Sequence, residues 1–230
     1  GIRDLGMSRG LGDVYKRQVL TVRDNIVEGY LFMATKHGLV KKTPLSEFKN
    51  LRKSGLIAIN LREGDELLKV KVTRGDADII IVSQDGNAIK FNETDVRPMG
   101  RTASGVKSMN LREDDVAVCM DIASNDEDLL VISENGFGKR TPLTEYKRQN
   151  RGGVGLITYK ISEKTGKVIG ATVCKPEDEL MLINTSGIAI RINVSDISVT
   201  SRSAMGVTLM RKVCLNPDQW ITNVLTSGQI

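Results

Sequence analysis

The chemistry available to this 230-residue chain lies mainly in its 33 lysines and arginines, interspersed with 22 glycines. They meet most densely at 147–156, KRQNRGGVGL, where Lys147, Arg148 and Arg151 adjoin Gly152, Gly153 and Gly155. Cations beside a glycine loop suit three roles: a phosphate cradle, a tight turn or a flexible connection. A nucleotide P-loop is excluded, because no G-K-[ST] follows and no helix pattern begins there. The lone His37 cannot assemble a zinc site, and Cys119, Cys174 and Cys214 are widely spaced with no C-x-x-C pair. Cys119 and Cys174 sit in apolar runs, as small buried hydrophobes do. With no Walker motif and no acidic metal cluster, no catalytic residue, no metal and no cofactor is expected.

The elements that must carry these residues repeat. LFMATKHGLVKKTPLSEF from Leu31, IIIVSQDGNAIKFNETDV from Ile79, LLVISENGFGKRTPLTEY from Leu129 and LMLINTSGIAIRINVSDI from Leu180 share one pattern. In each, an apolar run meets a polar-glycine turn and then alternating apolar and basic positions. The turn glycines, Gly38, Gly86, Gly136 and Gly187, lie 48, 50 and 51 residues apart. A second glycine follows at Gly55, Gly105, Gly155 and Gly206, 17, 19, 19 and 19 residues later. A fixed period near fifty is the mark of a repeat architecture.

Each unit reads as four strands. In the second, 79–83 is a β-branched run suited to burial on both faces, Asp85-Gly86 turns the hairpin, and 88–91 returns. Residues 105–111 and 116–123 complete the unit; last strands elsewhere fall at about 66–73, 168–174 and 220–226. No ten-residue stretch carries a sustained helical period. Units of this size cannot bury their apolar faces alone but can when packed around an axis. The expected fold class is therefore all-β and propeller-like, with four blades at about 29–77, 78–126, 127–177 and 178–230. A β-sandwich is the alternative, and it does not predict equal glycine spacing. Residues 19–23, VLTVR, read as the last strand of a blade whose other strands are missing. Residues 1–18 match no position of the repeat and are expected to be a leader, linker or foreign sequence.

A net charge of +5 and a pI near 9.1 favour an anionic partner. The first unit carries +5, the second −4, the third +3 and the fourth zero, so an anion should favour the first and third. Just after each hairpin turn stand Lys41 and Lys42, Lys90, Lys139 and Arg140, and Arg191. The long loops add Lys49, Arg52 and Lys53, then Arg97 and Arg101, then Lys147, Arg148 and Arg151, then Arg202. Recurrence at one register predicts a row of cations along one edge of successive blades, which suits the regular phosphates of a polyanion. The alternative is that outward strand positions are simply solvated and protect sheet edges. Aromatic and basic residues are not interleaved as base stacking requires, so low sequence specificity is expected.

With the repeats aligned, DLLVISENGFGKRTPLTEYKRQNRGGVGL, RPMGRTASGVKSMNLREDD and INTSGIAIRINVSDISVTSRSAMGV closely resemble the C-terminal domain of bacterial DNA gyrase A subunits. The resemblance runs from about Val19 to the C-terminal end, so residues 19–230 are expected to form the domain. It implies a β-pinwheel, a propeller variant whose blades exchange strands and which wraps duplex DNA around a basic rim. Within the holoenzyme, which adds the B subunit to a complete A subunit, that wrapping directs ATP-driven negative supercoiling. The heptad Gln149, Asn150, Arg151, Gly152, Gly153, Val154 and Gly155 is similar to the gyrase A box, Q-x-R-G-G-K-G. It departs in having Val154 in place of lysine and in lying in the third unit, so it is expected to be a degenerate copy. Binding weaker than that of a complete domain, with incomplete wrapping, is the corresponding expectation. None of Tyr15, Tyr30, Tyr146 or Tyr159 is placed like the family's cleavage tyrosine.

Two rival classes remain at this point: the topoisomerase IV relative of the same domain, and a propeller that binds a protein partner. An enzyme using a central-channel pocket has no recurring acid–base pair to support it. With no membrane-spanning apolar run and no exported h-region, a soluble, cytoplasmic, nucleoid-associated protein that does not contact membranes is expected.

Overall fold

Short apolar runs closed by a glycine turn dictate hairpins. The computed structural model, which describes residues 28–49, 55–185, 187–210 and 221–226, forms one at each of the four repeats. The first unit supplies β1 (Tyr30–Thr35), β2 (Leu39–Pro44) and β3 (Leu67–Thr73). The second supplies β4 (Asp78–Ser83), β5 (Asn87–Asn92), β6 (Val106–Lys107) and β7 (Ala117–Ile122). The third contributes β8 (Asp128–Ser133), β9 (Phe137–Pro142), β10 (Leu156–Ile157) and β11 (Val168–Cys174). The fourth contributes β12 (Glu179–Asn184), β13 (Ala189–Asn193), β14 (Val207–Thr208) and β15 (Ile221–Thr226). A single 3-10 turn follows the second strand of every unit, at Leu45–Phe48, Glu93–Asp95, Leu143–Glu145 and Val194–Asp196. No helix among the described residues is long and apolar enough to cross a membrane. Residues 1–18 and 19–23, Arg52, Lys53 and Cys214 lie outside the described residues.

Antiparallel sheets form as the sequence predicts, but their membership crosses unit boundaries. The orders are β3-β1-β2-β6, β7-β4-β5-β10 and β11-β8-β9-β14, with β15-β12-β13 in the fourth. Each outer strand comes from the following unit: Val106 opposite Val40, Leu156 opposite Ala88, and Val207 opposite Gly138. The strand expected at 105–111 therefore shrinks to two residues. Beyond it the Ser108 N–H donates to the Gly38 carbonyl at 2.9 Å. The turn glycine is required twice over. Gly86 has φ +80°, and a Cβ there would lie 2.4 Å from the Tyr159 carbonyl oxygen of the third unit.

Burial explains the unbroken apolar runs. On β4, Ile79 and Ile81 face a core shared with Phe32, Val40, Phe91 and Met109, whereas Ile80 and Val82 face another with Leu129, Val131 and Tyr159. A third core joins Leu130 and Ile132 of β8 to Leu180, Leu182, Val194 and Met210. Each core thus lies between two sheets and is built by two units. β12 breaks the pattern: its burial alternates, with Met181 and Ile183 only half-buried. On the opposite edge, β3 runs beside β7, β7 beside β11, and β11 beside β15. There Asp121 is buried between Lys69 at 3.1 Å and Lys71 at 2.7 Å. Burial pushes its carboxyl pKa up, and the two ammonium groups more than reverse this, holding it below the usual value.

Ile81 is fully buried between the first and second sheets. Ile81→Ala should lower stability by about 2–5 kcal/mol, read as a reduced urea midpoint.

Candidate nucleic-acid interface

The cations divide into two populations. Those immediately after the hairpin turns of the first three units do not face solvent, whereas Arg191 of the fourth does. Lys41, Lys42, Lys90, Lys139 and Arg140 are all at most 6% exposed. Lys41 Nζ donates to the Ala58 carbonyl at 2.6 Å and to that of Arg101. Lys42 Nζ reaches the Glu93 carbonyl at 2.8 Å, and Lys90 Nζ the Leu143 carbonyl at 2.8 Å. Lys139 Nζ donates to the Ser201 carbonyl at 2.6 Å and to that of Arg202. Arg140 donates through Nε to Ile197 at 2.9 Å and pairs with Asp128 at 3.1 Å. The acceptors lie chiefly in the loop of the following unit, which crosses the second strand at bridges Lys42↔Pro98, Lys90↔Arg148 and Arg140↔Val199. That loop covers what alternation alone presents as a solvated face, so these five side chains are withdrawn from the expected DNA contacts. They staple units together.

Burial, with Arg202 nearby, pushes the Lys139 pKa down to about 8 against the opposing pull of Glu145. Lys41 is lowered by burial and by Arg101. Lys90 is lowered by burial and by Arg148, with Asp78 opposing. Cys174 is pushed up to about 12, chiefly by burial, which keeps it an inert thiol.

The loop cations lie outside these staples. Lys49, Arg97, Lys147 and Arg148 are exposed. Arg97 and Lys147 occupy equivalent places beside the crossing points at Pro98 and Arg148. Arg148 pairs with Asp78 at 2.8 Å, and the exposed Arg191 pairs with Glu179 on the neighbouring strand. Half-buried Arg101, Arg151 and Arg202 recur at one register, each reaching a carbonyl at a second recurring register. Arg101 reaches Ile57 at 3.4 Å, Arg151 reaches Lys107 at 3.0 Å, and Arg202 reaches Ile157 at 3.3 Å. Lys107, exposed on the outer strand β6, is not among the cations that the sequence pattern singles out. A signal for it exists: it stands two residues after the second glycine of its unit, in the segment that becomes the outer edge.

The box-like loop is first of all a connection between units. Gln149 N–H donates to Lys90 at 2.7 Å, Gly152 N–H to Ser108 at 2.6 Å, and Asn110 N–H to Gly153 at 2.8 Å. Arg151 Nε donates to the Asp95 carbonyl at 2.9 Å. At Gly155, with φ +83°, a Cβ would lie 2.5 Å from the Ala88 carbonyl oxygen, so close passage over β5 requires glycine. Asn150 and Val154 remain exposed. Gln149 and Asn150 join Asn92, Thr94, Asp95 and Arg148 around an open polar groove of about 530 Å³. Among the described residues no cluster of His, Cys, Asp and Glu could hold a metal ion.

Hairpins whose outer edge receives a short strand from the following unit, under loops carrying exposed cations, define a strand-exchanged β-propeller domain. Known proteins place it more narrowly. The family described as DNA gyrase C-terminal domain, beta-propeller, matches residues 29–74, 77–118, 127–175 and 178–226, and the chain belongs to that family. It is 64% identical to the DNA gyrase A subunit of Clostridium acetobutylicum over 193 residues, 84% of this chain and 23% of that relative. The chain thus spans about a quarter of the length of the curated relatives it matches. A solved C-terminal domain of DNA topoisomerase IV superposes with a TM-score of 0.83 at 29% identity, over 89% of this chain and 64% of that one. A solved DNA gyrase A C-terminal domain gives 0.77 at 28%, over 87% of this chain and 66% of that one.

Lys139→Met should leave two loop carbonyls without a partner and cost about 1–3 kcal/mol in denaturant melts near neutral pH. The native pKa of Lys139, about 8, lies below the ordinary lysine value of 10.5. Between those values the unfolded chain binds more protons, so wild-type stability should rise with pH relative to Lys139→Met. Paired denaturation curves across that window measure the difference.

Proposed function

We propose that this chain is a non-catalytic DNA-binding and DNA-wrapping module of a DNA gyrase A subunit. The recurrence of exposed cations at equivalent outer-edge places, Arg97 and Lys147 above all, carries this reading, together with membership of the gyrase family. Lys49, Lys107 and Arg148 extend the same edge, and Arg52 and Lys53 belong to the proposed set from their place in the sequence. Half-buried Arg151 and Arg202 reach the outer strands β6 and β10, and with Arg101 their outer faces contribute positive potential. Arg148 gives up only a surface ion pair with Asp78 when it meets phosphate, and such pairs are worth little.

Held this way, duplex DNA binds through its backbone and its bending, with little dependence on sequence. The B subunit, together with the rest of the A subunit, would turn the wrapped crossing into ATP-driven negative supercoiling. A cytoplasmic, nucleoid-associated location goes with that role.

Binding of a fluorescent linear duplex is the test. Affinity should fall by orders of magnitude between about 50 and 200 mM salt. A variant combining Arg97→Ala, Lys107→Ala, Lys147→Ala and Arg148→Ala should flatten the slope of log affinity against log salt by about 0.9 for each phosphate no longer neutralised. Absence of duplex binding at low salt, or an unchanged slope in a folded variant, overturns the proposal.

A further inference from the structure

One stretch of the outer edge offers side chains without charge. Val154 and Ile157, three residues apart on the segment that joins β5, are 55% and 59% exposed. Their counterparts are Ser104 and Lys107 in the second unit, and Met205 and Thr208 in the fourth. The exposure belongs to a completed joint. β10 is paired with β5, and Arg202 of the fourth unit already reaches over to the Ile157 carbonyl.

The backbone beneath this pair is held from several sides. Gly152 N–H donates to the Ser108 carbonyl at 2.6 Å, and Thr158 N–H to that of Gly86 at 2.8 Å. The Gly153 carbonyl accepts from Asn110 N–H at 2.8 Å. Both side chains branch at Cβ, which restricts χ1, so covering them costs little further ordering. Cations flank the pair. Lys107 Nζ donates to Asn110 Oδ1 at 3.2 Å, and Asn110 is the residue bonded to Gly153, next to Val154. On the other side, Arg202 Nη1 donates to the Ile157 carbonyl at 3.3 Å.

We propose, on the reading that this chain binds duplex DNA, that Val154 and Ile157 face the major groove and touch thymine methyl groups. Lys107 and Arg202 meet the phosphates on either side. Exposed valine and isoleucine gain from covering apolar surface and gain nothing from a phosphate. Of the groups that base edges present to a protein, the thymine methyl is the apolar one, and it lies in the major groove. Groove width agrees. β10 arrives as part of a sheet edge, and a major groove about 12 Å wide admits two strands, whereas the minor groove is about 6 Å wide. The result is a modest preference for thymine at this part of the edge, added to the sequence-independent hold of the cations.

Fluorescence anisotropy at low salt tests this with an alternating A·T duplex and the same duplex carrying uracil in place of thymine. Uracil removes the methyl and keeps the base pair. Wild type should bind the uracil duplex about fourfold more weakly for each methyl touched, the effect of leaving one methyl-sized group in water. A variant combining Val154→Ser and Ile157→Ser should bind the two duplexes equally. It should keep the salt slope of wild type, because no phosphate contact is lost. Far-UV circular dichroism melts check that the variant keeps the fold. Equal binding of both duplexes by wild type overturns this proposal alone, as does a folded variant that still distinguishes them. A wild type that binds neither duplex removes the DNA-binding reading and this proposal together. Sedimentation velocity without DNA covers the remaining occupant: concentration-dependent association that the serine substitutions abolish assigns the pair to a protein contact and overturns the proposal too.

Discussion

Every hairpin here has a raw edge that its own unit cannot cover. The backbone groups of β2, β5 and β9 would face water or misdirected partners unless another strand arrives. The strand that arrives is β6, β10 or β14, from the following unit. That single constraint propagates. To reach the edge the chain must cross the second strand, which brings the loop carbonyls over Lys42, Lys90 and Arg140. To lie flat on the edge it must begin with a glycine, and to leave it must insert Met109, Tyr159 or Met210 into a core already begun by two other strands. Sheet, core and cation staple form together or not at all.

This construction separates two kinds of positive charge that look alike in one dimension. A buried lysine without acceptors would be costly, and carbonyl oxygens of a loop that has nowhere else to point meet that need. The outer cations are in the opposite situation. They stand in water, and where they have carboxylate partners, as Arg148 has Asp78, those partners are weakly held. Cations that hold the fold and cations that stand in water are thereby kept on different sides of one loop.

Much of this architecture was readable from residue order. The glycine spacing set the number of units, and the run at Ile79 announced a strand buried on both faces, as it is. The last strands fell within a residue of their places at Leu67–Thr73, Val168–Cys174 and Ile221–Thr226. Side-chain destination was not readable. Lys41 and Lys139 stand on the returning strand of a hairpin as rim cations would, and only the crossing of a loop about sixty residues downstream turns that face inward. The strand expected at 105–111 failed for a related reason. Local pattern reports that a segment is extended, but not which sheet receives it, and the tertiary joint left two residues of it in a ladder. Lys107 does not stand out in one dimension because its importance comes from that destination and not from its own turn.

The order of the exchange also bears on synthesis. β2 is complete at Pro44, but its edge waits for Val106 and Lys107, and β5 waits in turn for Leu156 and Ile157. At about 5–20 residues per second on a ribosome, each such edge stands bare for several seconds before its cover is translated. The nascent chain therefore always has one unfinished blade at its growing end, sealed only when the next has been made. Maturation advances one step behind elongation.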